Sequence, residues 1–244
     1  MIEIQNLTAS GVTDISLRLR NGRRYALVGN EALARETGAS AILAAVAGCL
    51  TPDSGCVLVD GYDVAAPKTD IRRRVGYLPA ENPLCADMTV YELLDFAAEV
   101  KGMSGDAARR RIRDLLTRLE LLEARDRLVS CLPAGDRRLV GVAQAFLAAP
   151  HTVLLDRPDG DLSARQLSLV ADLIGSMGEE ITVVVACRDP RAWGVFDTVI
   201  TLTDGALVSV EDVDQGETVS PDPMEKPEND EQEDDAHDTN DGSL

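Results

Sequence analysis

The chain has 244 residues, 45% of them hydrophobic and only 3% aromatic, with a formal charge of −18. That length holds one full α/β domain or two small ones, and the core has to be mostly Ala, Val, Leu and Ile. No run of about 18 apolar residues is present to cross a membrane, the opening MIEIQNLTAS alternates like a strand rather than a signal peptide, and so acidic a chain argues against a nucleic-acid backbone as ligand.

Residues 2–7 and 15–19 alternate as strands, with the Asn21-Gly22 turn after them. Residues 25–28 are a short apolar run ending at Gly29, as expected of a buried strand entering a loop. Residues 39–47 (ASAILAAVA) are helical by composition and stop at Gly48. Thr51 to Gly55 make a turn, 56–59 a strand, Asp60-Gly61 a second turn, and 74–78 another short strand. Three helices are predicted next, over 90–100, 106–122 and 123–129. In the second, Ile112, Leu115, Leu116, Leu119 and Leu122 recur at three- and four-residue steps. Its other face carries Arg109, Arg110, Arg113 and Arg118, a solvated face rather than a binding patch. A helix over 137–148, a strand over 152–155, a helix over 164–177 and a β-branched strand over 181–186 follow. Residues 199–202 and 206–210 close the pattern. Strands alternating with helices imply a mostly parallel sheet, interrupted by a helical subdomain at about 88–135.

Beyond this body, 1–211, the composition changes. Residues 211–244 hold 14 acids and one base, Lys226, so this end carries −13 and the remainder, 28 acids and 23 bases, carries −5. The tail 212–244 has too few bulky apolar residues to offset the entropy of ordering, and it is predicted to be disordered and solubilising. The five cysteines (Cys49, Cys56, Cys85, Cys131 and Cys187) form no CxxC pair and no metal-ligand spacing with His151 or His237. They are expected to be small buried residues of a reducing compartment.

Four stretches in order carry a resemblance. They are Thr51 to Val64 (TPDSGCVLVDGYDV), Val75 to Leu94 (VGYLPAENPLCADMTVYELL), Val140 to Pro150 (VGVAQAFLAAP) and Val153 to Asp156. With the layout strand, glycine loop, helix, helical block, strand and Asp, they resemble the ATP-binding subunits of ABC transporters, over roughly residues 2–210. The second stretch resembles the Q-loop region of ABC-2 type exporters, including the gliding-motility and multidrug kinds. The resemblance implies a P-loop NTPase-like ABC ATPase domain, an α/β fold with a mixed sheet core plus the helical subdomain.

Set against that family, the catalytic side chains are missing. A P-loop reads G-x-x-x-x-G-K-[ST], in which backbone N–H groups and Lys hold phosphates and Ser/Thr holds Mg²⁺. Here Gly29 leaves the strand, and Gly38-Ala39-Ser40 opens the helix after a loop four residues longer than the motif allows. Counting back from Gly48 puts Ala39 where the family has Lys. Arg35 lies in the insertion, but an Arg on another loop does not reproduce a Lys held at the helix start. The Q-loop position is Ala80, with Glu81 one residue late. The signature segment is Leu132-Pro133-Ala134-Gly135, in which Pro133 lacks both a hydroxyl and an N–H. The general-base Glu is replaced by Arg157, which cannot take a proton from water. The D-loop Asp position is Ser163 and the switch His position is Arg188. The N-terminal segment LTASGVTDISL also lacks the aromatic that stacks on adenine in the family.

The resemblance therefore implies a non-catalytic subunit, a pseudo-ATPase that docks on an ABC permease through the region Val75 to Leu94, or on an active ABC ATPase partner. No cofactor is expected. If residual binding persists, ATP would meet Gly29, Gly38, Ser40 and Gly135, and Mg²⁺ would meet Asp156, which reads equally as a structural acid. Two alternatives stand beside this: an active exporter subunit compensated by Arg35 or Glu81, and a soluble adaptor using the fold as scaffold. The expected location is cytoplasmic, peripheral to the inner face of the cell membrane when assembled.

Overall fold

The alternation at the N-terminus builds a hairpin. β1 (Ile2–Ala9) pairs antiparallel with β2 (Val12–Leu19), and Ile2, Ile4, Ile15, Leu17 and Leu19 turn one face inward. β3 (Arg24–Gly29) is the short buried strand ahead of the glycine loop. The computed structural model describes residues 1–29, 38–66, 71–213 and 218–219, so the loop insertion with Arg35 lies outside the described residues. α1 (Gly38–Val46) follows, with seven of its nine residues buried, four of them alanine or glycine. These small side chains let the helix lie between two sheets. β4 (Ser54–Val59) and β5 (Tyr62–Asp63) complete a four-stranded sheet of order β2-β1-β4-β5. Asp60 and Gly61 join them with φ of 51° and 80°, the doubly left-handed geometry of a two-residue hairpin. Two residues are too few for alternation to announce β5.

α2 (Ile71–Arg74) leads into β6 (Val75–Leu78), and α3 (Val90–Val100), α4 (Gly105–Arg118) and α5 (Ala134–Phe146) come next. Then follow β7 (Thr152–Asp156), α6 (Ala164–Gly175), β8 (Thr182–Ala186), β9 (Thr198–Thr203), β10 (Ala206–Asp212) and β11 (Thr218–Val219). The seven-stranded sheet runs β11-β10-β9-β3-β8-β7-β6. Its strands from β9 to β6 are parallel, and β10 and β11 are antiparallel additions. The mixed sheet is therefore as expected. β7 and β8 are buried on both faces, and the two-residue period divides them between two cores. Val153, Leu155, Val183 and Val185 meet the helices α3 to α6, while Leu154, Val184 and Ala186 meet α1 and the small sheet.

α4 keeps the expected arginines on its exposed face, with Arg109 paired to Asp106 at 2.6 Å and Arg118 to Asp114 at 3.1 Å. It ends at Arg118 rather than 122, because Glu120 takes φ 57°. The helix expected over 123–129 is absent; two 3₁₀ turns, Leu122–Ala124 and Val129–Cys131, stand there instead. α5 starts three residues early because Pro133 takes the N-cap position with φ −56°, a conformation its ring already holds. β6 and α5 touch backbone to backbone. A Cβ on Gly76 would stand 1.8 Å from the Ala145 carbonyl oxygen, and one on Gly141 2.2 Å from Asn82 Oδ1. Glycine is what lets the helix sit so close.

The cysteines depart from expectation. Cys187 alone is buried, and burial pushes its thiol up to about 12. Cys56 is half-buried, and Cys49, Cys85 and Cys131 are exposed. Of the acidic tail, Thr218–Val219 pair with Val210 and Glu211 on β10, a departure from a wholly unpaired segment, and residues 220–244 lie outside the described residues.

Candidate functional site

The parallel register sets β3, β8 and β7 side by side, so Gly29, Ala186 and Asp156 come to their strand ends on one edge. α1 begins above that edge. Ser40, in its first turn, donates its hydroxyl to Asp156 Oδ1 at 2.9 Å, joining two sequence-predicted residues 116 positions apart. Gly38 and Ala39 are buried beside it, and the Ala39 methyl packs in the core between the sheets.

Asp156 is 2% exposed. Burial pushes its carboxyl above the usual carboxylate range; the Ser40 hydroxyl, Arg157, Arg138 and the Ala80 amide pull the other way. Arg157 Nε stands 3.7 Å from Asp156 Oδ1. Its backbone is left-handed, φ 47°, and its N–H donates to the Ala186 carbonyl at 2.9 Å, so β8 holds that conformation in place.

A residue that the sequence reading passed over completes the cluster. Arg138, on the first turns of α5, is 2% exposed. Its Nη1 donates to the carbonyls of Pro79 and Ala80, both at 2.9 Å, and its Nη2 to those of Asp156 and, at 3.0 Å, Arg157. Burial lowers its affinity for its proton, and the Asp156 charge opposes that. In sequence Asp136-Arg137-Arg138 looks like a solvated first turn. Only the packing of α5 on β6 and β7 turns its third residue inward.

The layout implies Mg²⁺ and ATP, and the surroundings of Asp156 do not fit the cation. A divalent cation needs several oxygen ligands. A guanidinium already stands against Asp156, with Arg157 Nε 3.7 Å from its Oδ1. Among the described residues, no group of three or more His, Cys, Asp or Glu side chains is placed to hold a metal ion.

The remaining predicted positions are spread around this edge. Ala80 is half-buried and Glu81 exposed. Gly135 is buried, and a Cβ there would stand 2.5 Å from Gln166 Oε1, the end of a flexible side chain, and 3.0 Å from the Asp161 carbonyl oxygen. Ser163 caps α6: its Oγ accepts from the Gln166 amide at 3.3 Å while Gln166 Oε1 accepts from the Ser163 amide at 3.0 Å. The spacing Ser-x-x-Gln was the signal for it. Arg188 is exposed, and its amide donates to Asp159 Oδ2 at 3.3 Å.

Loop 79–88 leads from this edge to an open groove of about 190 Å³ lined by Leu84, Met88, Phe96, Val100 and Lys101 among others. Phe96 is 55% and Val100 60% exposed. Lys101, at its rim, donates to the Val75 carbonyl at 3.0 Å. The groove overlaps the predicted docking stretch and extends beyond it along α3.

The chain is similar to known proteins over this whole body. The sulfate/thiosulfate import ATP-binding protein CysA of Synechocystis is 27% identical over 205 residues, which are 82% of this chain and 56% of that protein. The macrolide export ATP-binding/permease protein MacB of Paracoccus denitrificans is 30% identical over 205 residues, 81% of this chain and 30% of that protein. The chain thus spans little more than half the length of the first relative. The dimeric structure of MJ0796, a bacterial ABC transporter cassette, superposes with a TM-score of 0.77 at 22% identity, covering 87% of this chain and 98% of that one. That likeness is one of fold, the mixed α/β P-loop fold of the ABC ATPases. No helix among the described residues is long and apolar enough to cross a membrane. The family model described as ABC transporter matches residues 12–160, more than half of the sequence, and the chain belongs to that family.

Proposed function

We propose that the chain is a non-catalytic ABC subunit, a pseudo-ATPase that docks on the permease of an ABC-2 type exporter. The observation that carries this is the Arg157 guanidinium 3.7 Å from Asp156, at the position where a proton acceptor is needed. A cation there repels the proton it would have to take. Ala39 supplies no charge for a phosphate, and Pro133 supplies no donor toward a partner's nucleotide. The docking part rests on the exposed apolar groove beside α3, and one relative named for both ATP binding and a permease supports a membrane partner. In this reading the body 1–211 lies at the inner face of the membrane and the acidic tail keeps it soluble.

Phosphate release by purified protein with Mg-ATP tests the catalytic half, and the expected rate equals that of a protein-free control. Turnover abolished by Asp156→Asn would replace this reading with that of a compensated exporter ATPase, which the Ser40–Asp156 contact favours. The docking half is tested by co-purification with a co-expressed six-helix permease. A protein that never binds one is the soluble adaptor.

A further inference from the structure

We infer that Arg138, with Asp156 and Arg157, holds the docking loop 79–88 in place permanently, a task that needs neither metal nor nucleotide in this chain. This rests on the docking reading above and adds what fixes the groove's shape.

The argument starts from an imbalance. A buried guanidinium has five N–H donors and no acceptor, and burying it is costly without partners on each side. Arg138 finds four backbone carbonyls in two pairs. Pro79 and Ala80 begin the loop that runs to the groove; Asp156 and Arg157 end β7. One planar fork on α5 thus ties the root of the loop to the strand end. A Lys point charge has too few donors in too loose a geometry to do the same. The Asp156 carboxylate lies on the other side of the tie, where it accepts from the Ser40 hydroxyl at 2.9 Å and faces Arg157. Further along the loop, Asn82 Nδ2 donates to the Arg137 carbonyl at 3.0 Å, and Asn82 fits against the bare Cα of Gly141. The loop is therefore pinned to α5 at its root and at Asn82 before it opens into Pro83, Leu84 and Cys85 of the groove.

Charge completes the inference. Arg157 Nε already stands 3.7 Å from Asp156 Oδ1, and the Arg138 fork already fills the carbonyls of Asp156 and Arg157 beside it, so the polar groups of the tie are engaged without a cation. The cluster has the stabilising charge built in.

Hydrogen exchange read by mass spectrometry on the full chain tests this, alone, with millimolar Mn²⁺, and with Mg²⁺ plus ATP. Protection of 79–88 is expected to be the same in all three, and the Mn²⁺ resonance spectrum to stay that of the hydrated ion. Arg138→Gln, which keeps two of the five N–H groups, should raise exchange across 79–88 about tenfold while α4 stays unchanged. Where that variant does not fold, Arg138→Lys carries the test, with a smaller rise confined to the same loop. Two results overturn the inference: metal or nucleotide increasing the protection of 79–88 in the unaltered chain, or a folded variant leaving that loop's exchange unchanged. Neither result depends on whether a permease binds or phosphate is released, so the docking and pseudo-ATPase readings stand or fall separately.

Discussion

The strand ends around Asp156 and the groove beside α3 share loop 79–88, yet they are built in opposite ways. At Asp156 polar groups are turned on one another: Ser40, Ala80, Arg138 and Arg157 all address one carboxylate or its neighbouring carbonyls. At the groove, large apolar side chains are left uncovered, with Phe96 and Val100 more than half exposed. One region has closed on itself and the other has stayed open. In the proposed reading the open face needs only a rigid floor, and the closed cluster supplies it.

Removing the centre of the closed region should have the largest effect. Asp156→Ala removes the carboxylate that faces Arg157 and accepts from Ser40, and should cost about 3 kcal/mol in urea unfolding. A cost below 1 kcal/mol would mean that the cluster is not a charge unit. At the open face, Phe96→Asp should reduce permease co-purification by at least about tenfold, as expected for a central apolar anchor, without moving the thermal midpoint. A parallel loss of stability would show that Phe96 is core and not surface.

The cap that fixes the groove's helix gives a smaller effect. Thr89 and Glu92 form a capping box at the start of α3, with Thr89 Oγ1 accepting from the Glu92 amide at 3.2 Å and Glu92 accepting from the Thr89 amide at 2.9 Å. Thr89→Ala should cost about 1 kcal/mol. The Thr89 hydrogen bonds hold the Glu92 carboxyl below its usual range. Its contribution is therefore present above the ordinary carboxylate pKa and lost as pH falls through the lowered one. Protection of the first turn of α3, taken relative to intrinsic exchange at each pH, should fall in that acid window and stay constant from there to neutrality. The smallest expected effect is none. Pairing with an active ABC ATPase whose own catalytic Glu has been replaced should be the same with and without ATP, because Pro133 offers its partner no donor. An ATP-dependent heterodimer would show that the backbone around Gly135 still grips phosphate.

Most of the scaffold was legible before any coordinates. β3, β7 and β8 are apolar runs bounded by turns, and α1 is an alanine-rich stretch stopped by Gly48. The order of these elements carried the family. The groove was half legible, through the stretch ending at Leu94, because nothing in the periodicity of 90–100 tells a covered Leu93 from an uncovered Phe96. Arg138 was not legible, since an arginine in a charged first turn looks solvated until β6 and β7 are placed against it. The exposed cysteines were misread for a related reason. Burial propensity describes a residue type, whereas Cys85 sits in a loop and Cys131 at the end of a 3₁₀ turn, where exposure is set by the local packing.

The contact of Gly76 with the Ala145 carbonyl has a mechanical consequence. With no side chain between Gly76 and that carbonyl, β6 and α5 have no soft layer there in which to slide, while Gly141 leaves room for the Asn82 and Leu78 side chains. A load applied at the groove travels through loop 79–88 into a stiff bar made of one strand and one helix. Replacing Gly76 by alanine would insert a spacer into that bar, and the groove and the strand end would then move as two parts instead of one.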